Sequence, residues 1–443
     1  MKIVAKVGAA LQLLFGEIVE DAHAVAPVVL RRRQFTPGSL ARTFVLGFLE
    51  NPRASDEGLA QMAAQCGVSV TPQAVEQRHS ERLVQFLEEL FRRAIKVVVE
   101  SEQSLAPLLE RFSAVTLLDS SVITLPNGQK ERFPGCGGSY DSSQAAVKLQ
   151  TEQDLCKGGI THIEIESGKS PDGATCRQHA EHPKGSLRIT DLGYFNVSVF
   201  ADFLKQFVYI LSRWQFRTGV LLPNGQEINL LKWLSEQPPG IIEQPILLGK
   251  KERLACRLIA WRVPEEQAAR RRHKLRQETR RKRGQEPCAE RLAMCDWTVL
   301  VTTVPESLLS GCEAIVLYRA RWQIELLFKR WKSQGLVADL SGTTEVRQMV
   351  RLWSRLIAAL VQHWLVVGCT WNDPCRSLSK ACEAVRKFIA AIVNHLDHHD
   401  RLQEVFCQLC AVVAKTCRRN KKRGKPGTLD LLNNLDSLEF RLT

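Results

Sequence analysis

SAVTLLDSSVITL, residues 113–125, is the stretch that decides the fold. Its β-branched and aliphatic residues predict a central, buried β-strand with Asp119 in the middle of it. A carboxylate buried without a partner costs on the order of several kcal/mol. No arginine or lysine lies within the stretch to offset that cost. The strand therefore predicts a carboxylate that is kept for a function.

The segments that follow extend this strand into an α/β domain. AAVKLQTEQDL (145–155) and ITHIEIES (160–167) are predicted as further strands. SLRITDLGYF (186–195) is predicted as a fourth strand, with Asp191 near its end. A helix is expected from about residue 196 to 213. The fold class predicted from this order is α/β.

The rest of the chain divides into regions of different character. Residues 215–263 carry short strand patterns between turn signals, and 296–305 is again a buried strand. The chain after about residue 340 and the first 105 residues are predicted to be helical. Within the latter, residues 55–93 have a helix-turn-helix rhythm in which Thr71 can cap the second helix. DNA binding through that helix and an ordinary pair of antiparallel helices both fit the pattern.

The net charge indicates a polyanionic partner. The chain has 61 basic and 47 acidic residues, a formal charge of +14. Nucleic acid and an anionic membrane are the two partners that such a surplus favours. A membrane partner is not expected, because apolar runs such as residues 356–368 are shorter than a bilayer needs and contain Gln362 and His363.

Two basic runs strengthen the nucleic-acid interpretation. Residues 270–283 contain nine lysines and arginines and one acid, Glu278, and residues 418–427 form a second run. Most charge runs are solvated surfaces, but the first run exceeds what solubility requires. The residues predicted to contact DNA there are Arg270, Arg271, Arg272, Lys274, Arg280, Arg281, Lys282 and Arg283.

The fourteen cysteines do not follow the spacing of a secreted disulfide scaffold, so reduced thiols are expected. Cys407, Cys410 and Cys417 lie in an apolar helical run, where they can share one buried face. For that reason core packing is preferred there over a zinc site formed by the lone CxxC.

YRARWQIELLFKRWKSQG, residues 318–335, predicts an amphipathic helix with an unusual polar face. At roughly 100° per residue, Tyr318, Arg321, Glu325 and Lys332 fall within roughly 60° of one another. An apolar stripe occupies another side of the helix. One face therefore aligns a phenol, a guanidinium, a carboxylate and an ammonium group.

This Y-x2-R-x3-E-x6-K pattern resembles the signature of bacterial DDE transposases of the insertion-sequence-four type. The aspartates in TLLDSSV and DLGYF resemble the first and second acidic motifs of that family. The resemblance implies a ribonuclease-H-like catalytic core interrupted by a β-rich insertion domain, with helical N- and C-terminal regions. The implied domains are 1–108 (helical, DNA-binding), 109–214 (core), 215–293 (insertion), 294–345 (core) and 346–443 (helical).

The resemblance also implies a chemistry for these residues. Asp119, Asp191 and Glu325 would be the catalytic carboxylates and would hold two Mg²⁺ or Mn²⁺ ions. Tyr318, Arg321 and Lys332 would bind DNA phosphates beside the scissile bond. Trp297 matches the position of an aromatic residue that stacks on a displaced base in relatives that form hairpins; a tryptophan in a strand is otherwise a core residue.

The implied function is metal-dependent cleavage at the ends of an insertion sequence and strand transfer into target DNA. The implied partners are the terminal inverted repeats, target DNA and a second copy of the chain, in a bacterial cytoplasmic, nucleoid-associated protein with no membrane partner. Two alternatives remain: a non-catalytic DNA-binding regulator or decayed copy, and a nuclease of the same fold that hydrolyses DNA without joining it.

Overall fold

The fold is described from a computed structural model, which describes residues 2–30, 34–136, 144–337, 340, 344–371, 373–420 and 427–434. The side chains of residues 2 and 283 are outside this description, as is most of the second basic run. The chain forms two compact units. The first comprises residues 1–105, 120–170 and 323–424, and the second comprises 106–119, 171–322 and 425–443.

The first unit begins with six helices. A π-helical stretch, Leu14–Ile18, joins the first two. Serine or threonine side chains cap the last four helices by accepting a backbone N–H bond. Thr71 caps α5 as predicted, although that helix has only five residues. The six helices are α1 Lys2–Leu13, α2 Val19–Val25, α3 Pro37–Glu50, α4 Asp56–Gln65, α5 Pro72–Glu76 and α6 Glu81–Ala94.

The three predicted strands that follow are confirmed. They are β1 Val115–Leu125, β2 Ala145–Asp154 and β3 Ile160–Ser167. In the first unit β2 pairs antiparallel with β3, from Val147 opposite Ser167 onwards. All ten residues of β2 are buried, including its polar ones, as in a strand covered on both faces.

The second unit places β4, Leu187–Thr190, next to β1 in parallel. The prediction of one helix over about 196–213 is wrong in its second half. Helix α7 spans Val197–Lys205, and β5, Tyr209–Arg213, follows and pairs in parallel with β4. Phe207 lies between them at φ 60°, the left-handed conformation that ends a helix.

The rest of the second unit is the predicted β-rich module and its neighbours. Apolar residues of α7, such as Phe200 and Phe203, pack in one core with Leu258 and Val301 of the module and its neighbouring strand. The elements are β6 Val220–Leu221, β7 Glu227–Ile228, α8 Leu230–Ser235, β8 Ile241–Leu248, β9 Leu254–Arg262, α9 Glu265–Arg283, α10 Ala289–Ala293 and β10 Trp297–Thr302.

The stretch 318–335, predicted as one helix, contains parts of two. Helix α11 ends at Ala320 and α12 begins at Trp322, although Arg321 between them keeps right-handed helical angles. The C-terminal region is helical, as predicted. The helices from this point are α11 Gly311–Ala320, α12 Trp322–Ser333, α13 Glu345–Thr370, α14 Leu378–Lys387, α15 Ile389–His395, α16 His399–Thr416 and α17 Thr428–Asn433.

The strands form a mixed sheet in the order β3-β2-β1-β4-β5-β10-β9-β8-β6-β7. Strands β1, β4 and β5 are parallel, and the strands from β5 outward to β7 are antiparallel. Parallel central strands carry aligned carboxyl ends, at which side chains for chemistry collect. The fold is the α/β, ribonuclease-H-like class that the sequence predicted.

Helix α13 is the core helix of the first unit. It is long and apolar enough to cross a membrane, but 94% of its apolar window is buried inside the protein. It packs against α3 and α6. The ring of Trp353 contacts that of Phe91 on α6, with centroids 5.9 Å apart. His363 donates a hydrogen bond to the Gly158 carbonyl, and burial lowers the pKa of its imidazole to about 3, so it is neutral. The helix therefore has the burial of a core helix.

The expectation for the C-terminal cysteines is wrong for one of them. Cys417 is buried and Cys410 is half-buried, but Cys407 is exposed. Residues three apart on a helix differ by roughly 60° in direction, which is enough to carry Cys407 off the packed face of α16.

Candidate active site

Asp119 and Asp191 each follow the last paired residue of two neighbouring parallel strands. The register pairs Leu118 of β1 with Thr190, the final residue of β4, so Asp119 continues β1 and Asp191 is the first residue after β4. Adjacent strands are roughly 4.8 Å apart. The strand pairing therefore brings together two carboxylates that lie 72 positions apart in the sequence, and both are half-buried.

Arg321 supplies the cation that the sequence around Asp119 lacks. Its Nη1 lies 3.3 Å from Oδ2 of Asp119. The two side chains are only 14% and 20% exposed, so the pair is well shielded from water. A shielded pair interacts more strongly than a surface pair, and removing one partner leaves the other desolvated. Arg321 therefore holds the first aspartate within the second unit.

Tyr318, one helical turn before Arg321, brings a phenol to the same place. Its Oη is buried, and its O–H has no acceptor among the described residues. Burial, together with the negative charge of Asp191, raises the pKa of the phenol to about 12, while Arg321 and Arg213 act in the opposite direction. Tyr318 is therefore a neutral hydrogen-bond donor at physiological pH.

A cleft of about 810 Å³ opens beside these residues, and we name it the arginine cleft. Two of its arginines, Arg213 and Arg319, are exposed and form no ion pair with the described residues. Its described lining contains no carboxylate and comprises Arg213, Arg262, Arg271, Arg319, Arg321, Tyr318, Trp261, Trp322, Val263, Pro264, Gln267, Thr298 and Ile315. The cleft is therefore positively charged and has aromatic walls.

The arginines of the cleft come from distant segments. Arg213 ends β5, Arg262 ends β9, and Arg319 lies on α11. The sequence did not point to these three, because the packing of remote segments brings them together. For Arg262, its position near the end of a predicted strand module was the available signal.

Glu325 and Lys332 lie on α12, in the first unit. Glu325 is half-buried in the first turn of that helix, where a carboxylate is favoured by the helix dipole. Lys332 is exposed in the last turn, where a cation is favoured. The charges of Glu325 and Lys332 therefore both interact favourably with the dipole of α12.

Comparison with known proteins decides the family. The pattern of the transposase DDE domain matches residues 110–361, which is more than half of the chain. The chain belongs to the DDE transposase family. It is a DNA transposase, and proteins of this family act with divalent metal ions.

Several transposases of bacterial insertion sequences are similar to this chain in sequence, two of them over most of its length. The transposase for insertion sequence element IS231C of Bacillus thuringiensis subsp. berliner is 26% identical over 446 aligned positions, covering 94% of this chain and 92% of the relative. That of IS231E of B. thuringiensis subsp. finitimus is 26% identical over 374, covering 78% and 76%. The putative transposase InsL of IS186A of Escherichia coli K12 is 44% identical over 106, covering 24% and 28%.

The basic run of this transposase forms helix α9, and its charges fall into two groups. Arg271 and Arg272 face the protein. The guanidinium of Arg271 donates to the Trp297 carbonyl at 3.1 Å and to Thr298 at 3.0 Å. Arg272 forms ion pairs with Asp296 and Glu265. These two predicted DNA-contact residues therefore anchor the helix.

The opposite side of α9 carries the exposed cations. Arg270, Lys274 and Arg281 follow the i, i+4, i+11 spacing of one helix face, and we name them the outward stripe. Among the described residues, Arg270 and Lys274 form ion pairs only with exposed acids on their own helix, Glu266 at 2.5 Å and Glu278 at 3.8 Å. Such pairs contribute little and exchange readily for another anion.

The remaining predicted contacts on α9 lie beside this stripe or outside the description. Arg280 pairs with Glu286, and Lys282 is exposed without an ion pair among the described residues. The side chain of Arg283 lies outside the described part of the chain, as do residues 421–426 of the second basic run.

Trp297 has a packing role in this structure. It is half-buried at the start of β10, opposite Arg262 of β9, and it contacts the apolar core of the β-rich module. It lines a second cavity of about 880 Å³ together with Trp261 and Arg262, which also line the arginine cleft. Contact with DNA remains a prediction for this residue.

Proposed function

We propose that this transposase cleaves DNA at the ends of its insertion sequence and joins those ends to target DNA, in a cut-and-paste reaction. The observation that carries the proposal is the placement of Asp119 and Asp191 at matched strand positions, with Arg321 and Tyr318 beside them. The 318–332 signature adds Glu325 and Lys332 by sequence. Carboxylates next to phosphate-binding groups are what phosphodiester chemistry requires.

Asp119, Asp191 and Glu325 are the proposed metal ligands. Carboxylate oxygens are hard donors that suit Mg²⁺ and Mn²⁺, and the adjacent strand positions of the two aspartates allow them to share an ion. When bound, two such ions would supply Lewis-acid activation of the attacking oxygen and stabilisation of the leaving one. The choice of ion and the count of two belong to the proposal.

The side chains of the arginine cleft have proposed roles toward the DNA backbone. Arg321 can offer Asp119 and a phosphate oxygen different N–H groups of one planar guanidinium, which fixes the phosphate relative to the carboxylate. Tyr318 supplies a neutral O–H donor with no competing acceptor among the described residues. Arg213 and Arg319 add positive charge at the cleft mouth, and Lys332 is the further proposed phosphate contact.

DNA outside the cleft has a proposed binding surface on α9. The outward stripe presents three cations along roughly 16 Å of helix. Its ion pairs are exposed, so phosphate can replace them at little cost. Anchoring by Arg271 and Arg272 keeps the stripe turned away from the protein. We propose that this helix follows the DNA backbone.

The remaining assignments stay with the proposal. They are the five domains given from the sequence, DNA contact by the helix pair α4–α5, action as a homodimer on DNA carrying terminal inverted repeats, and a cytoplasmic, nucleoid-associated location. Each follows from the family resemblance or from the charge of the chain.

The test uses the purified full-length chain, Mg²⁺ or Mn²⁺, and a DNA fragment carrying the terminal inverted repeats that flank the gene. The expected products are nicks at the element ends and ends joined to target DNA. Asp119→Asn, Asp191→Asn and Glu325→Gln should each lower both products by at least about 1,000-fold. Asp202→Asn, an exposed carboxylate on α7, is the matched control and should leave them unchanged.

The outcomes separate the competing functions. Cleavage without joined products would indicate a hydrolytic nuclease. Specific binding without cleavage would indicate a regulator or a decayed copy. Cleavage that survives the three carboxylate substitutions would remove them from the mechanism.

A further inference from the structure

Two cysteines of the first unit have their sulfur atoms in contact. Cys369 lies near the end of α13 and Cys410 in the second half of α16. The distance between their Sγ atoms is 3.0 Å, roughly 1 Å longer than a disulfide bond. Both are free thiols in this structure. Little movement of the two packed helices is needed to bring the sulfurs to bonding distance.

The surroundings make the two thiols unequal. Cys369 is 5% exposed, whereas Cys410 is only half-buried and can be reached from solvent. Either neutral thiol can donate in the pair, but Cys369, the more buried one, retains its proton when the pair ionises. The hydrogen bond from Cys369 and the positive charge of the nearby Arg376 guanidinium lower the pKa of Cys410, although burial acts in the opposite direction. Cys410 is therefore the thiol prepared to react.

Arg376 is held where it can serve this role. Its Nε donates to Asp373 at 3.1 Å, and its guanidinium donates to the Cys369 carbonyl. The positive charge is thus fixed beside the end of α13 by two contacts in the same turn. Cationic neighbours of this kind are a general feature of reactive cysteines.

We infer that Cys369 and Cys410 form an intramolecular disulfide by exchange with a low-molecular-weight disulfide such as oxidised glutathione. The Cys410 thiolate attacks one glutathione sulfur, breaks its S–S bond and releases a glutathione thiolate. The Cys369 sulfur then attacks Sγ of Cys410, loses its proton to solvent and displaces the second glutathione thiolate. Two protein thiols are oxidised, and one glutathione disulfide is reduced to two glutathiones.

The bond would connect α13 to α16 and close a loop that contains α14 and α15. Closing a long loop restricts the unfolded chain, so the oxidised unit should resist unfolding more than the reduced one. In a reducing compartment the pair is kept as thiols, and the bond forms when the thiol–disulfide balance shifts. The inference does not depend on the proposed DNA chemistry.

The experiment must distinguish this pair from its neighbours in sequence. Trypsin cleavage after Arg355 and Arg376 leaves Cys369 and Cys375 in one peptide, and cleavage after Arg401 and Lys415 leaves Cys407 and Cys410 in another. In the full-length variant Cys375→Ser/Cys407→Ser, each of these peptides carries a single cysteine. The matched control, Cys369→Ser/Cys410→Ser, keeps the two exposed cysteines in the same two peptides.

Both reduced variants are equilibrated in oxidised glutathione, quenched with an alkylating agent and digested without reductant. Mass spectrometry should find the two peptides linked, with a loss of two hydrogens, at least roughly tenfold more abundantly in the first variant than in the control, because thiols in contact have a high effective concentration. Oxidation should also raise the melting temperature of the first variant by at least roughly 4 °C.

Three results would overturn the inference. The linked peptide could be equally abundant in both variants. Cys410 could carry glutathione without any link to Cys369. Stoichiometric zinc could co-purify with the protein and be lost when this pair is substituted, which would make the two thiols metal ligands instead. Circular dichroism of each variant checks that it is folded.

Discussion

The arginine cleft and the outward stripe are both rich in cations, but they hold them differently. In the cleft, Arg321 is 14% exposed and pairs with a half-buried aspartate on β1. In the stripe, Arg270 and Lys274 are each more than 75% exposed and, within the described part of the chain, form ion pairs only inside their own helix. Burial fixes the direction of the first kind of charge, and solvent screens the second kind.

The difference separates positioning from attraction. A fixed, desolvated guanidinium contributes at one point in the transition state, where its geometry matters. A screened, mobile cation contributes to affinity wherever phosphate approaches, and its contribution depends on salt. Substitutions in the cleft should therefore change the rate of the reaction, whereas substitutions in the stripe should change DNA binding and its salt dependence.

Arg321→Ala should produce the largest effect. Loss of a transition-state arginine lowers phosphoryl-transfer rates by on the order of 1,000-fold, and the ion pair between Arg321 and Asp119 is also lost. The single-turnover cleavage rate at saturating DNA measures it. Lys250→Ala, which removes an exposed cation paired with Glu227, is the control and should leave the rate within about twofold. A fall in affinity with an unchanged rate would place Arg321 with the stripe.

The second-largest effect should come from replacing the whole outward stripe, Arg270, Lys274 and Arg281, by glutamine. The slope of log affinity against log salt should fall by roughly 2.7, or about 0.9 for each lost phosphate contact. Affinity should fall equally for specific and unrelated DNA. The saturated cleavage rate should stay near that of the unsubstituted chain, and a large fall in that rate would contradict the comparison.

Tyr318→Phe should lower the cleavage rate by roughly tenfold, because a hydrogen bond to a charged oxygen is lost. Its buried O–H has no acceptor among the described residues, so the melting temperature should hold or rise slightly. Because the pKa of Tyr318 is raised to about 12, the hydroxyl keeps its proton up to roughly pH 10. The ratio of the two rates should therefore be constant from roughly pH 7 to 10, and a ratio that changes would contradict a neutral donor.

Arg272→Gln should give the smallest effect, and the quantity that changes should be the stability of the protein. The Arg272 side chain is 21% exposed and pairs with Asp296, so its loss should cost about 1 kcal/mol of unfolding free energy after allowance for solvent screening. The denaturant midpoint measures this. Lys282→Gln, ten residues later on the same helix, should leave the midpoint unchanged. If Arg272→Gln lowers the free energy of DNA binding by more than it lowers the free energy of unfolding, Arg272 belongs with the DNA-contact residues.

The features that were predicted well from the sequence are those that depend on residues close together in the chain. The strand around Asp119 has a β-branched, apolar sequence, and its burial follows from that composition. The cap at Thr71 and the helices of the C-terminal region were likewise local signals. Periodicity and capping chemistry act over a few residues, so a single chain displays them.

The features that were missed depend on distant parts of the chain. The end of α7 was not predicted because Phe207, not glycine, adopts the left-handed conformation, with Val208 donating back to the Phe203 carbonyl. The arginine cleft was not predicted because strand register sets it, and register is decided by pairing between remote strands. The division of α9 into anchored and outward charges depends in the same way on what packs beneath it.

The burial of α13 has a consequence for how the protein is made. Its apolar surface would attract a lipid bilayer or another nascent chain if it were left uncovered. Helices α14 and α16 pack on it from the C-terminal side of the chain, but α3 and α6, which also cover it, lie nearer the N-terminus and leave the ribosome earlier. When α13 emerges, these two partners have already been synthesised, so the order of translation shortens the interval in which the surface that they cover can aggregate or insert wrongly.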